Sequence, residues 1–303
     1  MSRIRDTWRS VEQQGSAQKG TPKGNGSGGT EVTPVAADAE SILVAFTPNV
    51  ASAQDYTRAE AELEQCPSGN WQPNTKTMLF FGPEEHGPGK EDFRALRSRL
   101  YQLREKIALK KILITSSVPK EGRSFVAANL AQVLARQQGC RVLLIDADLR
   151  SPGLHLALGT GVAPGLSEYL LGETGEVAII QRGQMTNLFF IASGRPVSGQ
   201  SEIVSNGRLT RLFDRLAELF DWIIIDSPAA LPVSDAGLIA SCCDGVLMVI
   251  RSNSTPFDIV RKAQERFRED HILGIVLNGI PDAQLDNHYY NGASPTKSKQ
   301  NGR

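Results

Sequence analysis

Residues 111–124, Lys-Ile-Leu-Ile-Thr-Ser-Ser-Val-Pro-Lys-Glu-Gly-Arg-Ser, join a short apolar run, a turn of small residues and the start of a helical pattern. A turn of this kind at a helix N-terminus directs successive backbone N–H groups at phosphate oxygens. On the spacing G-x-x-x-x-G-K-[ST], Ser117 takes the first glycine position and Gly122 the second. Arg123 takes the place of the lysine, and Ser124 that of the hydroxyl that ligates magnesium. Arg123 keeps the positive charge, but a planar guanidinium at a tight phosphate site is not a conservative exchange for an ammonium. Lys120, in the same turn, is a second source of charge unless it simply faces solvent.

Two more runs end in carboxylates. They are 142–150, Val-Leu-Leu-Ile-Asp146-Ala-Asp148-Leu-Arg150, and 222–228, Trp-Ile-Ile-Ile-Asp226-Ser-Pro. Continuous apolar stretches suit strands buried in a parallel sheet, with the polar residue emerging at the end. Asp146 ends the apolar run and Asp148 lies two residues beyond it, and the two are expected to do different jobs. Asp226 is placed like the aspartate that positions the metal in P-loop NTPases. A further apolar run, 272–277, ends at Asn278. A strand-terminal aspartate is often only a helix cap, but together with the loop these residues point to a nucleotide-phosphate site.

The elements that must position them alternate. Phe93, Leu96, Leu100, Leu103 and Ile107 share one face of a helix beginning near Glu91. On its charged face Glu91 can pair with Arg94, which leaves Arg97 for another partner. A strand at 111–115, the loop and a helix at 125–138 closed by Gly139 follow, then the strand that ends at Asp146. Short helices near 154 and at 166–171, a strand at 188–192 and a helix at 208–220 lead to the strand ending at Asp226. The pattern then runs through a helix at 235–240, a strand at 245–250, a helix at 257–267 and the strand at 272–277. Such alternation implies an α/β fold with a mostly parallel sheet and helices on both faces. Ligands in such sheets sit at the carboxyl ends of the strands, where the loop, the aspartates and Asn278 are all expected.

The 303 residues carry 33 Lys and Arg against 33 Asp and Glu, so no global charge favours nucleic acid or a membrane surface. Four unevenly spaced cysteines, two of them adjacent, fit a reduced cytoplasmic protein better than a disulfide or zinc framework. No apolar run approaches the roughly 20 residues that span a bilayer. Residues 1–88 are expected to form a largely disordered extension, the stretch from Gln13 to about Ala37 being dominated by Gly, Ser, Thr, Pro and Lys, while the short apolar pieces at 42–46 and 78–81 either pack on the main domain or stay mobile. The main domain is expected at 89–281, followed by a flexible tail at 282–303 with Tyr289 and Tyr290.

The set Glu91-x-x-Arg94-x-x-Arg97, the loop 115–124, the run 142–150 and Ile223-Ile-Ile-Asp226-Ser-Pro228 resemble the bacterial tyrosine kinases of capsule and exopolysaccharide synthesis, within the deviant-Walker, ParA-like ATPases. The resemblance covers about residues 91–281 and implies a P-loop NTPase fold, with ATP and Mg2+ as cofactors and autophosphorylation on tail tyrosines, here Tyr289 and Tyr290. Catalysis would fall to Asp146 as base, with Asp148 and Arg123. Ser124, Asp148 and Asp226 would hold the metal. Ser117, Pro119, Lys120, Glu121, Gly122, Arg123, Ser124 and Phe125 would line the nucleotide, with Asn278 near the adenine. Glu91, Arg94 and Arg97 would lie at the subunit interface of a ring. The implied partners are a membrane-embedded activator and polysaccharide co-polymerase that recruits the cytoplasmic chain to the inner membrane face, and a cognate tyrosine phosphatase. The chain departs from the family at Arg123, at Phe125, which replaces a small hydroxylic residue, and at Ala229, where a second proline is common. These departures keep open a weakened, nucleotide-sensing regulatory partner and a partitioning-type ATPase switch.

Overall fold

The computed structural model describes residues 53–82, 87 and 89–280. The apolar piece at 42–46 and the tail tyrosines Tyr289 and Tyr290 lie outside the described residues. The chain divides into two units, Met1–Ala61 and Glu62–Arg303. The described part of the first is the opening of a helix, Ala53–Glu64.

The second unit is built on a sheet of seven strands: β1 Lys111–Ser116, β2 Val142–Asp146, β3 Ile180–Arg182, β4 Leu188–Ile191, β5 Trp222–Asp226, β6 Gly245–Arg251 and β7 Ile272–Asn278. Their spatial order is β3-β4-β2-β5-β1-β6-β7. Every pairing is parallel except β3 with β4. All residues of β2 and β5, and all but the first of β1, are buried, so helices cover both faces of the central strands. This is the expected α/β architecture. The antiparallel edge strand β3 is an addition, as are the helices Glu176–Ile179 and Gln200–Val204. Each is too short to show a period in the sequence.

Register sets the chemistry at the sheet's carboxyl edge. Asp146 of β2 pairs with Asp226 of β5, and Asp226 in turn lies opposite Ile114 of β1. Two carboxylates are thus held on neighbouring strands at one level, next to the turn that follows β1.

That turn opens the helix Arg123–Ala135, in which every residue from Val126 onward is buried. It ends three residues earlier than the apolar pattern implies. Inside it, Asn129 and Gln132 are fully buried and hydrogen-bonded. Asn129 donates to the Thr77 carbonyl (2.8 Å) and accepts the Leu79 N–H (2.8 Å), while Gln132 accepts the Phe80 N–H (3.1 Å). The Arg136 guanidinium closes the strap on the Phe80 carbonyl at 3.0 Å. A segment with no pairing strand of its own therefore takes its backbone partners from helix side chains, as burial requires.

The domain boundary expected at 88 is accordingly corrected. Trp71, Met78 and Phe80 are buried to 2% exposure or less. The Trp71 indole meets Phe190 of β4 edge-on at 6.2 Å and lies over Gly183, where a Cβ would come within 2.2 Å of its ring. Residues 66–82 thus belong to the core, carried by single large side chains rather than by a repeat. Of the five apolar residues assigned to the first helix, Lys90–Arg104, Phe93, Leu100 and Leu103 are buried, whereas Ile107 lies past its end and is 43% exposed. Replacing Trp71 by Ala is expected to cost about 3–5 kcal/mol in equilibrium urea unfolding. An unchanged midpoint would return this segment to the status of an extension.

Candidate nucleotide site

The turn after β1 is held in shape by its own side chains and by two other loops. Glu121 is buried, and its carboxylate accepts the Val118 N–H (2.9 Å), the Arg251 N–H (3.2 Å) and the Thr255 hydroxyl (2.5 Å). Asn278 Nδ2 donates to the Glu121 carbonyl at 2.9 Å. Lys120 and Gly122 both have positive φ, 69° and 96°. A Cβ at Gly122 would fall 2.0 Å from Asn278 Nδ2, so the position demands glycine both for its dihedral and for space. Backbone in this form presents N–H groups as an anion-binding concavity at the head of a 13-residue helix.

Several residues expected at the nucleotide also have structural partners. The Glu121 side chain and Asn278 brace the loop from inside it. Lys120 points into solvent. The Phe125 ring packs edge-on against Phe93 at 5.8 Å, and Phe93 against Phe80 at 6.4 Å, so it forms part of an aromatic wall. Ser117 is buried and its hydroxyl has no partner among the described residues.

The three aspartates occupy different environments. Asp146 accepts N–H groups of Gly153 (3.2 Å), Leu154 (3.1 Å) and Asp148 (3.3 Å), which makes it the cap of the helix Leu154–Leu158. Burial pushes its carboxyl above the usual range, helped by the Asp148 charge and opposed by those backbone donors. It has no exposed surface. Asp148 Oδ1 accepts the N–H groups of Arg150 (3.2 Å) and Ser151 (3.0 Å), and its Oδ2 accepts Arg123 Nη2 (3.1 Å). Asp226 is also buried, yet neither of its oxygens has a hydrogen-bond partner among the described residues. Burial raises its carboxyl, and the facing Asp146 adds to the rise, while the Arg123 charge and the neighbouring Ser124 hydroxyl oppose it.

Orphaned, buried oxygens beside a helix-borne hydroxyl fit a magnesium ion that keeps its water and phosphate ligands. The residues therefore fit ATP and Mg2+.

The trio on the first helix is arranged differently from its spacing. Glu91 and Arg94 form an ion pair as expected. Arg97, expected to be left for another partner, donates to the Val133 carbonyl at 3.1 Å in the last turn of the Arg123–Ala135 helix, where a cation meets the negative end of the dipole.

One element of the site was not visible in sequence. Arg150 makes a two-pronged pair with the buried Asp235 (2.7 and 3.3 Å), and the Ser201 hydroxyl donates to the same carboxylate at 2.5 Å. This node anchors the turn that carries Asp148. Asp235 reads in sequence only as the acidic start of a short helix, and its partners are 85 and 34 residues away.

No family model matches the chain. Among curated proteins, it is 34% identical over 204 residues to the tyrosine-protein kinase YwqD of Bacillus subtilis, covering 67% of this chain and 86% of that protein. The chain belongs to the bacterial tyrosine-protein kinases. It is also 34% identical over 193 residues, 62% of this chain, to the succinoglycan biosynthesis transport protein ExoP of Rhizobium meliloti, of which it spans only 24%. Several other kinase relatives are likewise matched over about a quarter of their length. Among solved structures, the kinase domain of the Escherichia coli tyrosine kinase ETK superposes with a TM-score of 0.60 at 29% identity, covering 70% of this chain and 80% of that one. The seven-stranded, mostly parallel sheet is thus the fold of a tyrosine kinase domain. Among the described residues no helix is long and apolar enough to cross a membrane.

The Asp235 node gives a stability test with a defined sign. Burial alone would raise the Asp235 carboxyl, but the hydrogen bonds from Arg150 and Ser201 outweigh it and hold it below the usual range. Its contribution is therefore complete above the unfolded value near 3.9 and is lost as pH falls through the lower folded value. Asp235→Asn should cost about 2 kcal/mol at pH 7, less than a fully buried pair because Arg150 is partly exposed. In denaturation at pH 3 the gap from the unsubstituted protein should narrow.

Proposed function

We propose that the chain is an ATP-dependent protein-tyrosine kinase that phosphorylates Tyr289 and Tyr290 of its own kind and thereby regulates polysaccharide polymerisation and export. The observation that carries this reading is the braced anion concavity at Gly122, set directly against the unpartnered carboxylate of Asp226. Membership of the kinase family supplies the reaction class.

The backbone of residues 117–124 would enclose the phosphates, and Ser124, Asp148 and Asp226 would hold Mg2+, which offsets charge on the transferred phosphoryl group. Asp146, its carboxyl raised by burial, is tuned in the direction that lets a carboxylate accept the tyrosine hydroxyl proton near neutral pH. Because Asp146 also caps the turn 148–153, arrival of the tail tyrosine would be tied to movement of that turn. Glu91 and Arg94, whose ion pair lies on the partly exposed face of the Lys90–Arg104 helix, would face a neighbouring subunit of a homo-oligomeric ring. Arg97 would act from behind, holding that helix on the phosphate-loop helix. A membrane-embedded activator and co-polymerase would recruit the chain, and a cognate phosphatase would reverse the modification.

A second reading, a nucleotide-sensing partner with weak or no transfer, draws on the pairing of Arg123 with Asp148, which engages the residue at the lysine position with a metal-site carboxylate. The two readings separate in one experiment. With Mg-ATP and the activator, mass spectrometry should find phosphate on Tyr289 or Tyr290, and Asp146→Asn should slow labelling about 100-fold or more. Absence of label while a lysine-containing relative is active, together with ATP-dependent oligomerisation, would establish the sensing role instead.

A further inference from the structure

The two carboxylates assigned to the metal are in opposite conditions. Both oxygens of Asp226 are unpartnered, whereas both oxygens of Asp148 are in use, one by two backbone N–H groups and the other by Arg123. The Arg123 guanidinium is fixed at two points, Nη2 on Asp148 and Nη1 on the Ser116 hydroxyl oxygen at 3.1 Å. The Ser116 hydroxyl in turn spends its hydrogen on the Val118 carbonyl at 2.7 Å. The ion pair is nearly enclosed, with side-chain exposures of 12% for Arg123 and 6% for Asp148. Arg123 Nε is buried and has no partner among the described residues, so one N–H of the fork is still to be satisfied.

We propose that Asp148 is an internal counter-anion that competes with nucleotide phosphate for Arg123, so that phosphate binding draws the guanidinium away and releases Asp148 to the metal. The inference rests on the nucleotide-site reading above. It follows from guanidinium chemistry: a planar fork binds a carboxylate or a phosphate in the same way, and exchanging one for the other keeps charge-assisted hydrogen bonds intact. A lysine at 123 would offer its donors from a single nitrogen and not along a rigid planar fork, and its hold on Asp148 would be looser. The consequence is an order of events. Nucleotide binding is weakened by the pair it must break, and the metal site is completed only after the phosphates arrive.

The test measures ADP affinity by calorimetry in EDTA, on the full chain, for Asp148→Asn, Arg123→Ala, the double variant and the unsubstituted protein. Asp148→Asn should bind ADP about tenfold more tightly than the unsubstituted protein, equivalent to about 1.4 kcal/mol. In the Arg123→Ala background the same change should gain less than about twofold, because only general repulsion is then relieved. Equal gains in both backgrounds would overturn the competition while leaving the nucleotide site standing. Failure of all four proteins to bind ADP would overturn both. Thermal unfolding confirms that each variant is folded. If Asp148→Asn is not, Mn2+ affinity by electron paramagnetic resonance in the absence of nucleotide decides: Arg123→Lys should raise it several-fold, and an unchanged affinity would overturn the proposal.

Discussion

The site depends on one constraint, that the turn between β1 and its helix keep a backbone form most residues resist. Two consecutive features impose it. The buried Glu121 carboxylate ties Val118, Arg251 and Thr255 together, and Asn278 holds the Glu121 carbonyl while leaving no room for a side chain at Gly122. Because Thr255 follows β6 and Asn278 ends β7, the loop is referenced to two strands beyond the one that precedes it. A phosphate cradle needs this kind of preorganisation, since N–H groups that must be ordered at the moment of binding contribute less.

The same logic extends through the helix behind the loop. Arg123–Ala135 is buried along almost its whole length, so its polar side chains must find partners inside the protein. Asn129 and Gln132 find them in the backbone of residues 77–80, and the last-turn carbonyl of Val133 finds Arg97. The phosphate-loop helix is thereby joined on one side to a strap from the N-terminal region and on the other to the helix bearing Glu91 and Arg94. Phe125, immediately after Ser124, continues this connection through Phe93 to Phe80. A residue out of keeping with the family motif proves to be part of the wall that couples these segments.

What was legible in sequence follows from what is local. Apolar runs such as 223–225 and the five-residue face of the Arg208–Leu219 helix gave the parallel sheet and its cover, because period and burial coincide there. The loop and the strand-terminal aspartates were legible because their spacing is short. The strap at 66–82 was legible only as the short apolar piece at 78–81, since it is held by Trp71 and by backbone bonds to side chains fifty or more residues away. The Arg150–Asp235–Ser201 node was hidden for the same reason. Arg97 was placed on the correct face, but spacing shows only which residues share a face and not that a neighbouring helix offers a carbonyl there.

Arg123 was the point at which sequence left the family, and its surroundings give that departure a physical meaning. Asp146 and Asp226 are buried on neighbouring strands, and burial together with the Asp146 charge raises the Asp226 carboxyl. A third carboxylate, Asp148, adds to the rise of both. The guanidinium is the only side-chain cation paired with any of the three among the described residues, and its fork lets it grip Asp148 and Ser116 at once. An arginine here thus does two kinds of work, positioning the first turn of the helix and balancing a cluster of acids that a metal would otherwise have to balance.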